Sequence, residues 1–78
     1  MNSELKEYFS TANVCRQELT NIRNIYNTVT LTKEEWHEME NTLAIMYLHC
    51  PSELCPIVLR TIEEMISKKQ TTTFKEEN

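Results

Sequence analysis

Seventy-eight residues with a formal charge of −4 allow one small domain, and they argue against broad, sequence-independent DNA binding, which needs clustered Lys and Arg. Glycine is absent, which removes phosphate-cradling loops and the usual left-handed helix C-cap, and every acidic residue is glutamate, a good helix former. Alternating β-type runs are nearly missing too, the longest being Thr28-Val29-Thr30-Leu31, so the chain reads as all-α.

The first helix is expected to start near Asn2 or Ser3 and to run towards Asn27. Leu5, Tyr8, Ala12, Cys15, Leu19, Ile22, Tyr26 and Val29 recur at steps of three and four, the period of one helical face. In heptad terms Leu5, Leu19 and Tyr26 take a positions and Tyr8, Cys15, Ile22 and Val29 take d, with Glu18 at g and Arg23 at e. Phe9 and Ile25 widen the stripe beyond a two-stranded seam, which favours a bundle core over a pure coiled coil. Ser10-Thr11 and the asparagines at 13, 21, 24 and 27 weaken the helix, so a break near Ser10-Thr11 is allowed, with Thr11 recapping the second part of the helix.

Helix two has the best-marked start. Thr32 at N-cap and Glu35 three residues on make a capping box, and Leu31 and Trp36 are spaced as a hydrophobic staple. Its inward stripe is read as Trp36, Met39, Leu43, Met46, Tyr47 and Cys50, and Pro51 stops it at about His49. A third helix begins between Ser52 and Cys55, with Pro56 in its first turn. Val58, Ile62, Met65 and Ile66 form its buried stripe, broadened by Leu54, Ile57 and Leu59, and Lys68 and Lys69 suit its C-terminal end. The expected object is a three-helix bundle over residues 1–69 with a disordered acidic tail over 70–78.

Chemistry is sparse. His37-Glu38-Met39-Glu40-Asn41 starts like the zinc-protease helix, but the second histidine that the motif needs at i+4 is Asn41. His49, Cys50 and Cys55 form one loose cluster, short of the four ligands of a structural zinc site, so no metal and no cofactor is expected. Three cysteines without an apolar leader or a membrane-length run read as reduced thiols in a cytoplasmic protein. No nucleophile–base pair is recognisable, and an enzyme is not expected.

What remains is surface. The stripe residues Leu5, Tyr8, Phe9, Cys15, Leu19, Ile22 and Tyr26 form a candidate core or interface. Glu34 with Glu38, and Glu63 with Glu64, form candidate acidic docking spots, although such charge is more often a solvated face. The expectation is a small helical protein-binding regulator or inhibitor that forms a homodimer, of a size and composition that suit a phage or virus product. The alternative is a dimeric helix-turn-helix DNA-binding regulator whose recognition helix presents Glu53, Arg60, Thr61, Glu63 and Glu64, a face in which glutamates would meet phosphates.

Overall fold

A computed structural model describes residues 7–76. Three helices of 17 residues each, α1 (Ala12–Thr28), α2 (Lys33–His49) and α3 (Cys55–Thr71), fold up-down-up into a bundle of radius of gyration 12.8 Å. A 3-10 turn at Ser52–Leu54 leads into α3. The proposed caps at Asn2 and Ser3, and Leu5 on the stripe, lie outside the described residues.

The break ahead of α1 is present. Both the amide and the hydroxyl of Ser10 donate to the Glu7 carbonyl, at 3.1 and 2.7 Å, which diverts that oxygen from a continuing helix. Thr11 then occupies the N-cap position in an extended conformation, although its side chain makes no capping bond. The break changes which aromatic turns inward: Phe9 is buried, whereas Tyr8, expected on the stripe, is exposed. Beyond it the periodicity holds through Cys15, Leu19, Ile22 and Tyr26, all buried. Val29 does not extend the stripe, because α1 ends at Thr28 and Val29 is already extended, leaving its side chain exposed.

At the start of α2 the capping box forms as spaced. The Glu35 amide donates to Thr32 Oγ1 at 3.1 Å and the Thr32 amide donates to Glu35 Oε1 at 2.9 Å. Both staple residues, Leu31 and Trp36, are buried. The Thr32 amide holds the Glu35 carboxyl below the ordinary glutamate range. A lowered native value means that the unfolded chain takes up the proton first as pH falls. The stabilisation is therefore present above the ordinary glutamate range and is lost as pH drops through it towards the native value. Replacing Glu35 with Gln, which keeps an acceptor oxygen, is expected to flatten this part of the acid limb in melts across acidic pH. An unchanged limb would assign it to another carboxylate.

Leu43 and Met46 complete the inner face of α2, and Tyr47, expected there, is exposed because it lies about 100° around the helix from Met46. On α3 the buried set is Val58, Thr61 and Met65, preceded by Leu54, whereas Leu59 and Ile66 are exposed. Thr61 corrects the recognition-helix reading: it is fully buried, its hydroxyl satisfied by the Ile57 carbonyl at 2.9 Å, and so cannot face a nucleic acid.

The C-terminal segment also differs from expectation. Helix α3 continues through Gln70 to Thr71, and residues 72–76, though irregular, lie against the body. The Lys75 amide donates to the Leu31 carbonyl at 2.7 Å, and the half-buried Phe74 ring meets Trp36 edge-on with centroids 6.4 Å apart. Lys33 Nζ sits 5.7 Å from the Phe74 centroid. A single aromatic in a polar run is a weak signal; what holds it is the Trp36 edge, which only the folded bundle provides. Phe74→Ala is expected to cost about 1–2 kcal/mol in urea unfolding, the value of a partly buried aromatic. No change would show that the segment adds nothing to the fold.

Candidate functional site

The arrangement of the helices decides where a concave surface is available. Helix α3 packs against both other helices, while α1 and α2 approach one another only sparsely. They are fastened at their two ends instead, by the 29–32 connection at one and by a Cys15–Cys50 disulfide at the other, with Cα atoms 6.2 Å apart. This pairing corrects the expectation of three reduced thiols; only Cys55 is free, its Sγ 3.7 Å from the Tyr47 carbonyl. Cys15 lies on the buried face of α1 and Cys50 at the end of α2, so an antiparallel hairpin brings together residues separated by 35 positions.

Between the fastened ends runs a groove of about 250 Å³, lined by Glu18, Ile22 and Ile25 of α1, Leu31 of the connection, and Glu35, Glu38, Met39 and Thr42 of α2. None of the lining residues belongs to α3, so the groove opens on the face away from it. Its floor is apolar: Ile22 and Leu31 are buried, Met39 is half-buried, and Ile25 is exposed. Three glutamates stand over that floor. Glu35 is committed to the capping box, and Glu18 and Glu38 form no ion pair among the described residues.

The other acidic candidates sit elsewhere. Glu34 lines a hollow with Lys33, His37, Lys69 and Phe74, beside an internal ion pair in which Lys69 Nζ donates to both Glu40 oxygens at 3.2 and 3.3 Å. Glu63 and Glu64 border a larger, mixed hollow of about 670 Å³ between the end of α1 and α3. There Glu64 accepts from the Tyr26 hydroxyl at 3.1 Å and lies 3.8 Å from Arg23 Nε, so part of its charge is answered within the chain. Burial, followed by the Glu64 carboxylate, raises the Tyr26 hydroxyl above the ordinary tyrosine value. The expected pairing of Glu34 with Glu38 on one helix face is thus divided between two hollows, and only Glu38 reaches the groove.

Of the stripe, Phe9, Cys15, Leu19 and Tyr26 are consumed by the core, and Ile22 alone serves both the core and the groove floor. Sequence reading missed Glu35, Met39 and Thr42 as groove residues, having assigned Glu35 to the cap and Met39 to the inner stripe. The signal was there as two edges, Glu18-Ile22-Ile25 and Glu35-Met39-Thr42, each spaced i, i+4, i+7 beside a core face. Among the described residues no group of three or more His, Cys, Asp or Glu side chains is placed to hold a metal ion, and no helix is long and apolar enough to cross a membrane. No family model matches the chain, and no match was found among curated proteins or solved structures.

Proposed function

We propose that this chain is a protein-binding regulator, a small helical domain that acts by holding a segment of another protein between α1 and α2. The observation that supports this reading is the groove: two helices joined at both ends that approach one another only sparsely, with the exposed Ile25 and the half-buried Met39 along the gap above a buried floor of Ile22 and Leu31. Regulation follows from the chemistry of such a contact, since a seated segment is withdrawn from its own partners. Inhibition is the simplest outcome, and a second copy of this chain is one of the partners that the groove would admit.

The test places a photo-crosslinking residue at Ile25 or Thr42 in the groove, and at Gln17 or Ser67 outside it, in nuclease-treated lysate of the source cells. The reading expects one protein adduct at fixed stoichiometry from the groove positions only, with the activity of the captured protein changing in step with occupancy. Adducts from all four positions alike, or adducts of nucleic acid in untreated lysate only, would overturn it.

A further inference from the structure

Resting on the protein-binding reading above, we infer that the groove takes a lysine- or arginine-bearing amphipathic helix of the partner, its apolar residues on Ile25 and Met39 and its cations against Glu18 and Glu38.

Length sets the first constraint. The lining residues run from Glu18 to Ile25 on α1 and from Glu35 to Thr42 on α2, about two helical turns or roughly 10 Å on each side. Two parallel walls of that length match a partner helix with anchors at i, i+3 or i+4, and i+7, the spacing by which helices are read in grooves. A volume of about 250 Å³ admits the anchor side chains and leaves the partner backbone resting above the rims.

Charge sets the second. Two carboxylates elsewhere on the chain are answered internally, Glu40 by Lys69 and Glu64 by Arg23 and Tyr26, but neither of these cations lines the groove. Over the groove Glu18 and Glu38 lack an ion-pair partner among the described residues, and the lining contains no Lys or Arg. An acidic or uncharged helix would leave these carboxylates facing like charge or losing water without compensation, whereas a basic one answers each of them. The chain supplies a local precedent. Lys75 donates its amide to the groove-lining Leu31 carbonyl, and its positive charge is one of the influences that favour ionised Glu35. Such complementarity also speeds the approach of a basic segment and makes its binding sensitive to salt.

The experiment uses the full oxidised chain, isotopically labelled for NMR, and two synthetic helix-forming peptides that share one apolar pattern of leucines at i, i+3 and i+7. One is flanked by lysines, the other by glutamates. The lysine peptide is expected to give saturable shifts centred on Glu18, Ile22, Ile25, Met39 and Thr42, weakened by added salt, with the glutamate peptide at least about tenfold weaker. The double variant Glu18→Lys, Glu38→Lys, its fold checked in the same spectra, should reverse that preference. Thr42→Arg, which fills the groove and adds a competing cation, should abolish binding of the lysine peptide while leaving the fold intact. The inference is overturned if the lysine peptide perturbs Glu63 and Glu64 as strongly as the groove, or if charge reversal leaves the preference unchanged. It is also overturned, with the protein-binding reading still standing, if the protein crosslinked from Ile25 or Thr42 contacts the groove through an acidic or uncharged segment. If no protein crosslinks there, both fall.

Discussion

Removing the Cys15–Cys50 disulfide, by reduction or as Cys15→Ala with Cys50→Ala, is expected to lower the unfolding free energy by about 3–4 kcal/mol. The bridge closes a loop across 35 positions, and the chain-entropy model assigns a loop of that size a value between those of short and hundred-residue loops. A domain this small has stability near the lower end of the usual range, so roughly 4–8 °C of melting temperature per kcal/mol gives a fall on the order of 15–25 °C. The measurement is a pair of thermal melts, oxidised against reduced, with the double alanine variant as a control whose melting should not respond to reductant. A shift of only a few degrees would mean that the three-helix contacts suffice and that the bridge does little for the fold. The same bond joins α1 to the end of α2 beyond the groove, so reduction is expected to weaken capture at Ile25 and Thr42 even where the bundle survives.

Trp36→Ala should be nearly as costly, about 3–5 kcal/mol in denaturant unfolding, because the ring is 1 % exposed and its loss leaves a large cavity. This residue joins three features. It follows the capping box as the staple residue of α2, it lies 6.2 Å from the Tyr26 ring of α1, and it receives the Phe74 edge from the C-terminal segment. Trp36→Phe is the informative companion. The indole Nε1–H has no acceptor among the described residues, so replacing it removes a buried donor rather than a hydrogen bond, and the cost should be limited to lost volume, about 1–2 kcal/mol. If phenylalanine were as damaging as alanine, the indole nitrogen would have to be bonded in solution. A cycle pairing Trp36→Ala with Phe74→Ala should show a coupling of about 0.5–1.5 kcal/mol, the value of an edge-on aromatic pair.

Helix content and helix limits were legible wherever local chemistry decides them. Thr32 and Glu35 announce the start of α2, Pro51 its end, and Pro56 the first turn of α3, each through hydrogen bonds made or lost within four residues. The break at Ser10-Thr11 could be anticipated for the same reason, from short polar side chains that compete for backbone carbonyls. Its effect on facing could not. A period read straight through the break carried Tyr8 inward, and one local turn put Phe9 there instead.

Features that depend on two distant segments stayed hidden. Cys15 and Cys50 are separated by a whole helical hairpin, and neither has a neighbour in sequence that marks it for pairing. Phe74 looked like a stray aromatic until the Trp36 edge was in place. The groove was hidden for a third reason: its floor uses residues at the margins of the core stripes, and its depth depends on how far α1 and α2 are held apart, which no single helix encodes. Thr61 misled through its chemistry, since a hydroxyl that bonds back one turn along its own helix can be buried like an aliphatic group.

The absence of glycine matters for how this protein tolerates change. All three helices end on extended residues, Val29, Cys50 and Thr72, and no described residue has a positive φ. No described position is therefore reserved by backbone handedness for one special amino acid. In a saturation-mutagenesis map of this chain, the usual isolated columns where only glycine survives should be missing. Intolerance should instead follow burial, with proline excluded from helix interiors, so that a fitness landscape for residues 7–76 would read almost directly as a contour map of the core.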